Sequence, residues 1–327
     1  MKVVTTPTDW SSLPLSRTGT DRAAARRDSP DNLARLLAAA TTRVLLVRGG
    51  ALALEPGEGH RLAFVPAADV VAAAERGLVC DLGRSPRGGG TDVLALVLPT
   101  TRPAVDIEGV EAPTPAEELA SGRRWRALRD VGHLLDAHDA GLATAAVALA
   151  AWHARAPRCP SCGEPTVAVS SGWARRCEDE DVDHYPRTDP AVIMAVVDSE
   201  DRLLLGHAAH WPERRFSTLA GFVEAGESAE AAVRREVLEE TGVVVGRVEF
   251  RATQPWPFPA SLMLGFVGYA ETTTVTTDDV EVTDARWFTR DGLATDVAAG
   301  RVLLPMRSSI ARALIEEWFG GRVPEPY

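Results

Sequence analysis

Apolar and polar positions change period several times along the chain. Asn32 to Ala40 has helical spacing, and the apolar runs Arg43 to Arg48 and Ala51 to Leu54 are broken at Gly49-Gly50, which predicts a β-hairpin turning on the glycines. Leu62 to Val65 and Val93 to Leu98 predict further strands, with Ser85 to Gly90 as a connecting loop that lacks the Lys-Ser/Thr of a phosphate loop. A proline-rich passage from Pro103 to Pro115 precedes two predicted helices, Ala116 to Ala137 and Ala140 to His153, whose alanine-rich spacing points to close packing. Residues 1 to about 30 have no periodicity and predict a loosely attached arm.

In the second half, Ala191 to Val197, Arg202 to Gly206 and Phe216 to Ala220 predict strands. Val248 to Arg251, Leu262 to Tyr269 and part of Val280 to Phe288 predict three more. Arg307 to Phe319 predicts an amphipathic helix with Ile310, Leu314 and Trp318 on its core face. The chain therefore divides into an N-terminal α+β domain at 1–155, a cysteine-bearing segment at 156–187 and a second domain at 188–327.

Composition narrows the class. An apolar fraction of 45% with 25% charged residues is that of a globular protein, and 327 residues suffice for two cores. The net charge of −11 excludes a general nucleic-acid coat but leaves local recognition of a nucleotide open. Met1 to Pro30 has no apolar centre of the kind a signal peptide needs, and Ala140 to Trp152 is too short to span a bilayer, so no membrane partner is expected. Three of the four cysteines lie between 159 and 177, which suits metal in a reducing cytoplasm better than disulfides. Cys80 stands alone as a small buried residue, and His133, His138 and His153 are given no role.

The chemistry concentrates between Gly221 and Val243. Glu236, Glu239 and Glu240 stand at i, i+3 and i+4, so on a helix they project from one side, where hard carboxylate ligands suit Mg2+ or Mn2+. Ser228 is the expected N-cap and Gly242 the C-terminal stop, Arg235 is placed to pair with a carboxylate, and Gly221 and Gly226 mark a tight loop. Three glutamates within five residues ordinarily describe a solvated face. The full spacing is more specific: Gly221, five residues, Glu227, seven residues, then Arg235-Glu236-Val237-Leu238-Glu239-Glu240-Thr241-Gly242-Val243. It resembles the Nudix box at every defining position.

Two further motifs flank it. Cys159-Pro-Ser-Cys162-Gly163 followed by Cys177 reads as a zinc ribbon with a missing cysteine, for which Glu180, Asp183 or His184 would supply the fourth ligand. Gln254-Pro255-Trp256-Pro257-Phe258-Pro259-Ala260-Ser261 reads as a rigid, extended aromatic segment that does not suit a central strand. On composition it is as much a surface loop as a wall for a flat heterocycle, with Gln254 and Ser261 free to hydrogen-bond. It resembles the motif that marks the NADH pyrophosphatase branch of the Nudix family, and the likeness extends over about residues 158 to 315.

The resemblance implies a C-terminal Nudix α/β/α sandwich with a mixed sheet, a small zinc-ribbon-like insert, and cleavage of NAD(H) at its pyrophosphate to nicotinamide mononucleotide and AMP, with action on NAD-capped RNA 5′ ends as an extension. It implies Mg2+ or Mn2+, two or three per site, held by Glu236, Glu240, Glu281 and the Ala220 carbonyl. Glu239 would bind directly or through water, and Glu240 would sit on the metal that activates water. It implies a dinucleotide site lined by Gln254 to Ser261, with Tyr185 reaching across a homodimer to the nicotinamide, Phe222 facing it, Ala311 touching substrate through its backbone and Arg129 as an N-terminal contact. A family acidic residue five before the third cysteine is replaced here by Gly172. A broader ADP-ribose or dinucleotide hydrolase is the neighbouring expectation, and a non-catalytic nucleotide sensor, which would have a broken box, is the distant one.

Overall fold

The structure, a computed structural model, describes residues 9–99 and 113–324. Most of the proline-rich passage from Pro103 therefore lies outside the described residues. The chain forms two compact units. One holds residues 9–16, Asp189–Trp256 and Ser261 onward, and the other holds Arg17–Thr188 with Pro257–Ala260.

In the Arg17–Thr188 unit, helix α1 (Asn32–Ala38) precedes strands β1 (Arg43–Arg48) and β2 (Ala51–Leu54), which form the expected hairpin with Gly49 and Gly50 at positive φ. Strand β3 (Phe64–Pro66), the single turn α2 (Val71–Ala74), β4 (Leu78–Ser85) and β5 (Thr91–Val97) follow. The expected helix from Ala116 to Ala137 does not form. In its place stand α3 (Pro115–Ala120), β6 (Arg124–Ala127) and α4 (Leu128–Val131), because Gly122 turns the chain at φ 68° and Arg-Trp-Arg then alternates as an edge strand. Helix α5 (Ala137–Arg155) is capped by Asp136. The sheet runs β4-β5-β1-β2-β6 with β3 also on β1, and β1 and β5 are parallel.

Three short strands, β7 (Thr166–Val169), β8 (Ala174–Cys177) and β9 (Val182–His184), make a separate small sheet that carries the cysteine cluster. Gly172 stands just before β8 at φ 86°. Any Cβ there would run into the Cys80 thiol and the β4 backbone, so close packing demands glycine at the position where the resemblance implies an acidic side chain.

The other unit is built on β10 (Asp189–Val197), which from Ala191 on is apolar and buried on both faces. The strands β11 (Leu203–Ala208), β12 (Leu219–Phe222), β13 (Val245–Trp256), β14 (Ser261–Ala270) and β15 (Val282–Phe288) complete a mixed sheet in the order β13-β14-β10-β11-β15, with β12 on β10. Val192, Met194 and Val196 pack under α6 (Ala229–Thr241), while Ile193 and Ala195 pack under α7 (Arg290–Ala298) and α8 (Ile310–Phe319). The pleat thus sends alternate residues of one strand into two cores and produces a helix–sheet–helix sandwich.

Residues 9–30 correct the expectation of a loose arm. Leu13 and Leu15 are buried, Leu13 within the core under α8, and Arg26 pairs with Asp81 at 2.8 Å and Asp92 at 2.5 Å. Among the described residues no helix is long and apolar enough to cross a membrane.

Candidate active site

The box forms a strand, a loop and a helix. β12 lies antiparallel to β10 with Ala220 opposite Ile193 and Gly221 opposite Val192, which fixes the Ala220 carbonyl beside the start of the loop. The Ser228 side chain accepts from the Ala231 N–H, and Gly242 closes α6 at φ 67° with its N–H on Leu238 O. Ala232, Val233 and Val237 bury one face of α6. That anchorage leaves Glu236 and Glu240 on the flank toward β12 and Glu239 more exposed. A Cβ on Gly221 would overlap the Glu236 carboxylate, so only glycine lets strand and carboxylate meet.

Arg235 ties loop to helix. Its guanidinium donates to both carboxylate oxygens of Glu227 (2.9 and 2.8 Å), to Glu236 (2.9 Å), to Glu239 (3.0 Å) and to the carbonyl of Phe222 (3.0 Å). These bonds hold the Glu227 carboxyl below its usual range, chiefly through Arg235 itself.

Glu240 has no such partner. It is buried, and its Oε2 has no hydrogen-bond partner among the described residues. Burial, followed by the charges of Glu236 and Glu281, pushes its carboxyl up to about 8. Burial also raises Glu236, against the pull of Arg235. Carboxylates gathered with one orphaned buried oxygen are stable as anions only beside a cation, so this donor set of carboxylates and a carbonyl fits a hard divalent ion. Glu281 stands one residue before β15 in a turn that the Asp278 carboxylate fixes by accepting the N–H groups of Val280, Glu281 and Val282. Phe222 is exposed, as is Tyr185 just after the ribbon strands.

The Gln254–Ser261 segment differs from expectation in two ways. Gln254, Pro255 and Trp256 are the end of edge strand β13, paired with Met263, Leu262 and Ser261, while Pro257–Ala260 is a turn, so the segment is not extended throughout. An edge position is where a strand tolerates Pro255. Second, the Gln254 amide is not free. It is fully buried, donates to Pro14 O and to Ser308 O (2.9 Å), and accepts the N–H of Ile310 (2.8 Å) at the start of α8. Ala311 follows on the same helix turn and is buried. The Arg129 guanidinium lies 5.2 Å from the ring centre of Phe258 and stacks on it.

In the small sheet, Cys159, Cys162, Cys177 and Glu180 present ligand atoms all within 4.8 Å of one another. Cys162 and Cys177 sulfurs are 3.5 Å apart and Glu180 Oε2 is 3.1 Å from the Cys159 sulfur. Four ligands at Zn–S distances of about 2.3 Å stand roughly 3.8 Å apart, so the cluster fits zinc. Asp183 is engaged by Arg176 at 2.7 Å, which leaves Glu180 as the carboxylate at the thiols. The backbone N–H of Glu180 leads the interactions that hold the Cys177 thiol below its usual range.

Three family models match the chain. Residues 187–307 match the NUDIX domain, 41–152 the NADH pyrophosphatase-like rudimentary NUDIX domain, and 154–185 the NADH pyrophosphatase zinc ribbon domain. The chain is 44% identical over 200 residues to the NAD-capped RNA hydrolase NudC of Mycobacterium bovis, covering 58% of this chain and 64% of that protein. It is 43% identical, with the same coverage, to NudC of Mycobacterium tuberculosis. It is 42% identical to human NAD-capped RNA hydrolase NUDT12 over 55% of this chain and 42% of that protein. The matched region thus spans less than two thirds of these relatives' own length. With a NUDIX domain that carries the box, a rudimentary NUDIX domain and a zinc ribbon domain of the NADH pyrophosphatase type, the chain belongs to the Nudix family.

Proposed function

We propose that the protein hydrolyses the pyrophosphate of NAD(H) to nicotinamide mononucleotide and AMP, and cleaves the same bond in NAD-capped RNA, releasing nicotinamide mononucleotide and leaving a 5′-monophosphate end. The observation that carries this reading is the buried, partnerless Glu240 oxygen beside Glu236 and the Gly221 loop. Glu236, Glu240, Glu281 and the Ala220 carbonyl would hold Mg2+ or Mn2+, with Glu239 at the exposed rim. Such ions, when bound, neutralise the diphosphate and acidify the attacking water. Glu240, whose buried Oε2 has no partner among the described residues, would face those ions as an anion. Arg235 keeps Glu236 and Glu239 oriented and prevents the Gly221–Glu227 loop from drifting. Trp256 and Phe258 supply the aromatic surface for a base, and exposed Tyr185 and Phe222 supply rings for nicotinamide, Tyr185 from a second copy in a homodimer. The likeness to NAD-capped RNA hydrolases supports the NAD cap as substrate class, and the three free thiols with Glu180 support structural zinc in a reducing cytoplasm.

Specificity constants for NADH, NAD+, NAD-capped RNA and ADP-ribose, each with Mg2+ and Mn2+, test the reading. A preference of at least tenfold for the nicotinamide substrates supports it. Equal rates on ADP-ribose would reassign the protein as a broad dinucleotide hydrolase.

A further inference from the structure

The two sheets repeat one another pairing by pairing. β10 is antiparallel to β11 and β12 and parallel to β14, and β1 is antiparallel to β2 and β3 and parallel to β5. β13 and β15 stand at the two edges of one sheet, as β4 and β6 do in the other, and after the last strand of each sheet a shorter helix (α7 or α4) leads to a longer one (α8 or α5). The register agrees as well. Met194 faces Leu219 and, three residues on, Val197 faces Leu203; Val44 faces Val65 and, three residues on, Val47 faces Leu52. This superposes Ile193 on Arg43, Gly221 on Ala67 and, as second residue of the closing helix, Ala311 on His138.

Two things differ. Where α6 carries its carboxylates, the first unit has only the turn Ala67 to Gly77, with Asp69 and Glu75 as its acidic residues, so the metal site has no counterpart. The ligand face, by contrast, is open. A cavity of about 740 Å3 lies at the start of β1, the β4–β5 hairpin and the first turn of α5, the places that correspond to the start of β10, the β13–β14 hairpin and Ala311. Its size is that of a small-molecule site. Phe64 offers a half-buried ring, and Arg43, Arg61 and Arg87 bring cationic groups to the lining. Arg87 is neutralised by Asp136 (2.6 Å) and Asp139 (3.0 Å), but Arg43 donates only to the carbonyls of Ala40 and Thr42, and Arg61 is exposed with no side-chain partner among the described residues. Glu55 is the one carboxylate on the lining that no arginine engages, and it suits a sugar hydroxyl. The buried His138 imidazole adds a nitrogen, Nε2, without a partner among the described residues. Asp136, His138 and Asp139 also lie close enough together to suggest a cation, but Arg87 and the N–H groups of Leu62 and Asp139 already engage both carboxylates.

We propose that this cavity is a second, non-hydrolytic nucleotide site, with a base on Phe64 and a phosphate between Arg43 and Arg61. The assignment rests on the proposed function only for the class of ligand. The rudimentary domain keeps the ligand face of the fold and has lost the helix that does chemistry.

The test uses AMP as probe, by titration calorimetry on the full chain carrying Glu240→Gln, in buffer without added divalent ions or chelator, so that the catalytic site is disabled and zinc is undisturbed. The expected result is one AMP bound per chain, with affinity at least tenfold weaker in the added presence of Arg61→Glu and inorganic phosphate at least tenfold weaker than AMP. Arg61→Glu alone should hydrolyse NADH as the wild type does. No saturable binding, binding indifferent to Arg61→Glu, or phosphate equal to AMP would each overturn the proposal. If AMP binding depends on Arg61 while the wild-type chain cleaves no dinucleotide, the hydrolase reading falls and this site stands.

Discussion

Replacing Gln254 by alanine separates two roles that one side chain cannot hold together. In the structure its amide is fully buried and joins the carbonyl of Pro14 near the start of the described residues, the loop carbonyl of Ser308 and the first N–H of α8. Alanine leaves two carbonyls and one amide without these bonds. At about 1–2 kcal/mol for each unsatisfied buried group, the loss is on the order of 4 kcal/mol, before any cavity term. With a urea slope of about 2 kcal/mol per M, the midpoint of the unit that holds α8 should fall by roughly 2 M. The assay is urea unfolding followed by Trp318 and its neighbours in fluorescence, beside steady-state NADH hydrolysis at a temperature where the variant is folded. The KM should change less than threefold. A midpoint within 0.5 M of wild type (about 1 kcal/mol at that slope) together with a KM raised tenfold would return Gln254 to the substrate.

Three other outcomes follow from particular contacts. Gly221→Ala forces a methyl group onto the Glu236 carboxylate, so divalent-ion affinity, read by Mn2+ electron paramagnetic resonance, should fall at least tenfold while the fold is kept; unchanged affinity would contradict the placement. Plasma mass spectrometry should find about one zinc per chain, and Glu180→Ala should lower that content; a metal-free wild type would contradict the thiol–carboxylate site. His153 donates from Nε2 to Gly172 O and accepts Arg175 at Nδ1, a neutral arrangement, and burial with Arg175 lowers its folded-state pKa. The unfolded residue still binds a proton near pH 6.5, so this contribution is complete above that pH and is lost as pH falls below it. His153→Gln, which cannot titrate, should lose less stability than wild type between pH 7 and 5; parallel curves would sink the assignment.

Much of the chemistry is legible in the sequence because it is local. Ser228, Gly242 and the i, i+3, i+4 glutamates define α6 by spacing alone, and Gly49-Gly50 defines the β1–β2 hairpin. What is missed depends on long-range partners. β4 is hidden by Asp81 and Gly83, polar or small positions that are tolerated because Arg26 and Asn32 reach across from the first thirty-two residues to satisfy Asp81. The segment from Ala116 to Ala137 has helical propensity, but Arg124 to Ala127 pair with β2, and that pairing overrides it. Gln254 looks like an exposed donor because nothing in its neighbourhood of sequence announces Pro14 or Ser308 as partners. The repeat of one sheet by the other is likewise invisible until the pairings are known, since the two share topology while the box is present in only one.

Hydrolysis at the pyrophosphate is read from the products of NADH and NAD+ incubated with the wild-type chain and with Glu240→Gln, with and without Mg2+ or Mn2+. Equimolar AMP and nicotinamide mononucleotide, formed only with the metal and at least a hundredfold more slowly by Glu240→Gln, is the predicted result. Metal-independent cleavage, a different scissile bond, or a Glu240→Gln rate equal to wild type would contradict it.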